Sequence, residues 1–576
     1  MAYRTIEGYK RGQPDIGWWR RQIDAGIRDR KKLAMEARWA NWRRYYRGQW
    51  PANVIPVNLF FKMVRTVVPR LYFRNPSISC QATKPGFEQQ VFAQMIERID
   101  NKLIRTMGMK GQIKKMVHNT FMFGTSAGKL GFGAQFTPTP DDFETDAPSR
   151  LTGDFNRKVE WNSLVTANMP WFLNVPPGNL VVPERLSCFE ETPWVAMKIT
   201  RSVDDIKADP RLKNTDTIVG SGASVGTQNP MTKSADAQKN ELEMYEIRDL
   251  RTGKVIIIPA YSSDKHFLYE DDAMQVNGRP NIYPLIFNPD DEYFWGVPDS
   301  VILEPQQLEL NEIRTVQMRH RRISVIKLLY KRGALDDGEA EKLLNGEVGI
   351  GIQINKEFDI TDVDSFQMGT IPEALFAADQ TIQADVREML GFSRNQSGEF
   401  ASGQKSHSAP TAFEAQVVQA ASEIRVDERR DGIADVLVSV FEDANALVFD
   451  EWDDEQVVQV MGPQAIPYWV AFKPAMLKGA RYEMDIDPDS TVPETKQLRG
   501  QKADGIYAVL KDNPLIDPIF LTKYYLREKG GVNLDGLLKQ MQANAAAGLP
   551  GSSPEQPMGA QEMMSMMMNG GGGPPA

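Results

Sequence analysis

Arg314, Arg319, Arg321, Arg322, Lys327, Lys331 and Arg332 crowd one short stretch of this chain, with His320 among them. Guanidinium and ammonium groups at this density suit phosphate oxygens, whose contacts set the affinity of nucleic-acid binders. A second stretch, Gly124-Thr125-Ser126-Ala127-Gly128-Lys129-Leu130, invites a phosphate loop and fails the test. That motif needs four residues between its glycines and a Ser or Thr after the Lys. Here the spacing is one short, Leu follows Lys129, and the preceding segment reads as helix where the motif needs a strand. The stretch is read instead as a helix stop and a strand start.

Other reactive groups form no catalytic set. G-x-S-x-G occurs at Gly124–Gly128 and Gly222–Gly226, but Ser126 follows a helix and Ser224 lies in a Gly/Ser-rich insertion. A nucleophile elbow needs a strand before the Ser and a helix after it. His118, His266, His320 and His407 lack metal spacing and Cys neighbours. Asp290-Asp291-Glu292 and Asp485-Ile486-Asp487-Pro488-Asp489 miss the calcium-loop pattern and read as solvated turns. The cluster Gly346, Gly349, Gly351 has the wrong spacing for a dinucleotide site. Cys80 and Cys188 can form neither a disulfide framework nor a four-thiolate metal site. No cofactor and no metal site is expected, and no enzymatic activity.

The elements that must hold the cationic block come next. An aromatic turn, Tyr293-Phe294-Trp295-Gly296-Val297-Pro298, leads into a long amphipathic helix, with Val301, Leu308, Ile313 and Val316 expected on its apolar side. Such a helix needs water on one side and partner helices on the other. Helices are also expected over 17–47, over 59–68 with Asn58 as N-cap and Pro69 as stop or kink, and over 88–123 with a break near Gly108 and Gly111. The 17–47 segment carries Arg20, Arg21, Arg28, Arg30, Lys31, Lys32, Arg38, Arg43, Arg44 and Arg47. It reads either as a nucleic-acid or membrane-surface contact or as a solvated helix face.

Strands alternate with Pro-rich turns from 159 to 199 and resume at 241–249, 254–258 and 283–287. Residues 219–237 read as a mobile insertion. Strands at 326–330 and 349–354 with a short helix at 336–344 form a small α/β insert. A helix over 371–390, a polar stretch 391–410 and a long helix over 411–448 follow, the last spanning about 55 Å if Gly432 does not kink it. Strands at 457–460, 468–472 and 481–485 precede helices at 493–511, 518–527 and 533–542. From Ala543 the composition predicts disorder, with a Met run at 563–568.

A chain of 576 residues is too long for one core, and about two to four domains are expected. A net charge of −9 argues against wholesale coating of nucleic acid, yet suits a lumen past which DNA must slide. The N-terminal MAYRTIEGYKRGQPD has no apolar h-region, so no secretory signal is expected. No window approaches the length of a membrane span.

Taken in order, these elements resemble the portal (head-to-tail connector) proteins of tailed bacteriophages. "YYRGQW", "IPVN" and "LYFRNP" between Trp42 and Pro76 are similar to the start of a portal wing. The resemblance covers residues 15–542 and rests on order. It implies a helix-rich α+β subunit divided as wing 1–298, first stem helix 299–323, clip 324–371, second stem helix 372–390, tunnel loop 391–410, wing helix and strands 411–492, crown 493–542 and a disordered tail 543–576.

Proteins that look like this form rings of about twelve subunits closed by cyclic symmetry at one capsid vertex. By that resemblance the chain is a virion protein, assembled in the host cytoplasm beside major capsid and scaffolding proteins. Double-stranded DNA passes through the ring, driven in by a terminase large subunit and released on infection. The clip seats first the terminase and then a head–tail adaptor, and the portal burns no ATP. Arg394, Lys405 and His407 of the loop would face DNA in transient contact. Arg319, Arg321 and Arg322 would either line the lower lumen or pair with Glu304, Glu309 and Glu312 of a neighbouring stem. Trp295 would pack at the joint of wing and stem. Alternatives are an adaptor or minor capsid subunit, commonly a much shorter chain, and a terminase or nuclease, which needs an acidic metal cluster or an intact Walker motif.

Overall fold

In the computed structural model the described residues are 15–132, 170–209, 211–216, 218, 241–260, 266–271, 279–323, 327–332, 335–339, 341, 353–357, 363–366, 373–390, 412–452, 456–461, 467–487, 496–511, 521, 525 and 558–559. In chain order they form α1 (Ile16–Leu33), α2 (Glu36–Tyr46), α3 (Leu59–Leu71), β1 (Ile78–Ala82), α4 (Phe87–Thr106), α5 (Met109–Phe123) and β2 (Thr125–Phe132). Next come β3 (Pro170–Val175), β4 (Leu180–Val181), β5 (Trp194–Ser202), α6 (Val203–Ala208), β6 (Glu241–Asp249), β7 (Lys254–Pro259), β8 (Tyr269–Asp271) and β9 (Ile282–Ile286). Then follow α7 (Asp299–Ile323), β10 (Lys327–Tyr330), β11 (Val363–Phe366), α8 (Glu373–Met389) and α9 (Ala412–Glu451). The remaining elements are β12 (Gln456–Met461), β13 (Pro467–Phe472), β14 (Tyr482–Ile486), α10 (Lys496–Leu510) and β15 (Met558–Gly559). The chain is a mixed α+β protein that divides into two compact units.

The first unit takes residues 1–37, 66–298 and 424–576. Its largest sheet has the order β4-β5-β6-β7-β8, antiparallel throughout. Side chains alternate across a strand, so each strand feeds both faces. Tyr245, Ile247, Ile256 and Ile258 pack under α1 with Trp19 and Ile23. Leu242, Met244 and Ile257 join Val203 and Ile206 of α6 in a separate cluster. Trp19 meets Trp194 edge to face, ring centroids 6.0 Å apart, the geometry that aromatic quadrupoles favour.

A second sheet, β3-β2-β9, is backed by α5. Gly124 ends α5 at φ 85°, and a Cβ there would lie 2.0 Å from the Gly296 carbonyl oxygen. Only glycine fits both constraints, so the Gly-rich stretch is indeed a helix stop followed by a strand. β1 pairs with β14, and β12 with β13. In the 543–576 tail, expected to be disordered, Met558–Gly559 pairs in parallel with Val470–Ala471.

Two expectations change, and the course of the long helix, left open at Gly432, is decided. The single helix over 17–47 is broken: α1 ends at Leu33, α2 starts at Glu36, and Met35 turns the chain at φ 53°. Ala34 N–H still caps back to the Arg30 carbonyl, so the break costs little helical bonding. Pro69 does not stop α3, which runs on to Leu71. A proline removes only the bond to the residue four back, and Tyr72 N–H closes the last turn onto Val68 O. Asn58 does cap α3, its Oδ1 accepting from Phe61 N–H at 2.9 Å. Finally, α9 is one unbroken helix of 40 residues that passes through Gly432. The insertion expected at 219–237 lies outside the described residues, and so do the helices expected at 518–527, apart from Leu521 and Tyr525, and at 533–542.

The second unit takes residues 38–65 and 299–423. α7 packs on α8 through Leu310, Ile313 and Ile382, with Val57 and Ala378 at the edge. Between these helices β10 and β11 form an antiparallel pair. Of the strand expected at 349–354, residues 353 and 354 are described and are not in a strand, and 349–352 lie outside the described residues.

Candidate nucleic-acid interface

The cationic block belongs to the second unit and grows from α7. Only part of the apolar side expected for α7 is buried: Ile313 is, but a polar face is buried as well. Leu308 and Val316 are exposed, at 46% and 39%, whereas Glu304, Gln307, Asn311 and Thr315 are buried. Residues four apart share one face of a helix, and 307, 311 and 315 make a polar ladder there.

The ladder holds the extended segment before α3. Gln307 Oε1 accepts from Leu59 N–H at 2.7 Å, and its Nε2 donates to the Val57 carbonyl at 2.7 Å. Asn311 Oδ1 accepts from Val57 N–H at 3.0 Å, and Thr315 Oγ1 from Ile55 N–H at 3.1 Å. Side chains thus satisfy backbone groups that no strand pairs, as buried polar atoms require. Below the ladder Glu304 is committed within its own chain. It pairs with Arg38 and accepts from Trp42 Nε1 at 2.8 Å. Glu304 is therefore not open to a neighbour's arginine, which narrows the expected pairing set to Glu309 and Glu312, both exposed.

Toward its C-terminus α7 turns basic. Arg314 forms an ion pair with Asp379 of α8, bracing the two helices. Arg319, Arg321 and Arg322 stand together on the last turns, all exposed. Cations in the last turn also suit the negative end of the helix dipole. No acid follows Glu312 until Asp336. Beside Arg319 lies a groove of about 430 Å³ lined also by Arg44, Trp50, Leu308, Glu312 and Val316. One of its walls is the Tyr45–Trp50 pair, stacked at 4.5 Å with planes 3° apart.

Of the six residues expected to meet DNA, the structure gathers Arg319, Arg321 and Arg322. Arg394, Lys405 and His407 lie outside the described residues, as does the rest of 391–411. Sequence reasoning missed the ladder, although Gln307, Asn311 and Thr315 at four-residue spacing are its visible mark.

The other candidate groups have structural surroundings. Lys129 is buried, 2.6 Å from Glu246, which also binds Arg248 at 3.1 Å. Burial pulls the Lys129 ammonium below its ordinary range, against the opposing pull of Glu246. Ser126 Oγ donates to Asn174 Oδ1 at 3.1 Å. Arg30 of the basic N-terminal helix is buried and donates to the Leu180 carbonyl at 2.6 Å, so it is an anchor rather than a surface cation. Trp295 is buried beside Phe294. Cys188 is exposed, and its hydrogen bond to Glu190 raises the thiol's pKa. Among the described residues no three His, Cys, Asp or Glu side chains gather to hold a metal ion. Nor is any described helix long and apolar enough to cross a membrane. Compared with family models and with curated proteins, the chain matches none.

Proposed function

We propose that this chain is a subunit of a tailed-phage portal. In this reading it assembles into a ring of about twelve copies at a capsid vertex, through which double-stranded DNA is packaged and released. One observation carries the reading. Two helices packed on each other, α7 and α8, flank a small two-stranded insert, β10–β11, and the 40-residue α9 follows in the chain. That order matches stem, clip, stem and wing helix. The same reading makes the insert the seat of terminase and adaptor, places the protein in the virion, and assigns the chain no catalytic step. The 391–410 loop, with Arg394, Lys405 and His407, takes the tunnel position between α8 and α9.

Exposure of Arg319, Arg321 and Arg322 supports a lumenal role, and one of the three stem acids that could pair with them, Glu304, is already engaged. The test is a triple variant, R319Q/R321Q/R322Q, assembled and supplied with terminase and DNA. The ring is expected to keep its mass while the amount of DNA packaged or retained changes. Loss of the ring would make these arginines assembly contacts and remove them from the channel.

A further inference from the structure

Charge is sorted unevenly in this acidic chain. From Ala37 to Phe87 there is no Asp or Glu, while Lys and Arg recur throughout. From Arg98 to Pro140 the one acid is Asp100, which is fully buried. In the first unit these two acid-poor stretches meet. Asn75 Nδ2 donates to the Ile104 carbonyl at 3.2 Å, setting the 72–75 segment against the end of α4. Phe73, 42% exposed, lies under the ammonium groups of Lys110 and Lys114, 5.7 and 5.4 Å from its ring centroid. Lys110 is exposed, as are Arg105 and Lys115 close to it in the chain.

We propose that this patch is a second phosphate-binding surface, separate from the α7 arginines, which holds the backbone of double-stranded DNA without reading its sequence. The chemistry is that of fixed cations. Stacking on Phe73 restrains two flexible lysines, so less freedom is lost when a phosphate arrives. The first turn of α5 holds Lys110, contains no acid, and receives no side-chain bond from its cap, Gly108. A cation there opposes the helix dipole, and an anion would relieve it. Glu97 of α4 accepts from Cys80 N–H at 3.3 Å, and Asp427 pairs with Arg430 at 2.7 Å. The cations held on Phe73 are two lysines. This set suits phosphate oxygens, not base edges.

The experiment uses the full-length assembly and a labelled random-sequence duplex, with binding followed by fluorescence anisotropy across a sodium chloride series. For K110Q/K114Q the slope of log affinity against log salt should fall by about two for each duplex bound. The single variants K110Q and K114Q should each lose about half of that. Phe73→Leu, with no change of charge, should weaken binding less than the double variant while keeping most of the slope. The α7 triple variant serves as the control, because its loss from binding should add to that of K110Q/K114Q. An unchanged slope in K110Q/K114Q would overturn the proposal. So would a labelled single strand binding more tightly than the duplex, or polyglutamate displacing the duplex at equal charge concentration. None of these outcomes depends on whether the assembly is a ring.

Discussion

Two contacts in this molecule do the same job by opposite means. α1 is fixed to its sheet by apolar surface, with Trp19 and Ile23 set among Ile247, Ile256 and Ile258. α7 is fixed to the 55–59 segment by a polar ladder of Gln307, Asn311 and Thr315. The first contact is non-directional and tolerates sliding; the second sets position bond by bond. The difference shows how a helix can seat an extended chain on one side and leave Leu308 and Val316 in water on another.

The largest effect should come from the apolar contact. Trp19→Ala should cost about 3–5 kcal/mol through the cavity it leaves, read as a lower denaturation midpoint of the first unit. Gln307→Leu sharpens the comparison, because it keeps volume and adds apolar character. If the α7 contact were ordinary core, this change would be nearly neutral. The ladder predicts a loss of about 2–4 kcal/mol, because the Leu59 N–H and the Val57 carbonyl lose their partners. Thr315→Val should cost about 1 kcal/mol by the same logic. Retained stability in Gln307→Leu would remove the ladder from the account.

The last effect is read as a slope with pH and concerns a buried acid. Asp100 is fully buried, and burial pushes its pKa up to about 8. Its Oδ2 accepts from Asn445 Nδ2 at 3.1 Å, while Asp100 Oδ1 and Asn445 Oδ1 find no partner among the described residues. In the unfolded chain an aspartate titrates near 3.9. Between these values the folded chain holds one more proton than the unfolded, so this group's contribution to stability falls as pH rises from about 4 to about 8 and then levels. Asp100→Asn removes that slope and offers Asn445 Oδ1 a donor. Its unfolding midpoint relative to the parent should climb across that window. A difference that stays constant with pH would show that Asp100 is charged when folded.

Much of this fold was legible because its signals are local. Alternation marks β5, β6 and β7, and Gly108, at φ 62°, marks the turn between α4 and α5. The break at Ala34–Met35 was hidden because a two-residue turn barely disturbs a 3.6-residue period. Pro69 misled because proline's cost depends on whether further turns follow it. The site was half legible. Arg319, Arg321 and Arg322 announce themselves by charge, but the ladder beneath them is made of residues that usually face water. Its role depends on the distant 55–59 segment, and a local pattern carries no record of that partner. Lys129 shows the converse, a motif suggestive in sequence whose side chain is spent inside on Glu246.

The central claim is that these helices build a ring through which DNA passes. Native mass spectrometry of the purified full-length protein, with negative-stain images of the same sample, tests it most directly. The account predicts a closed assembly of about twelve copies with a central hole. A monomer or small oligomer that persists across concentration and salt would contradict it.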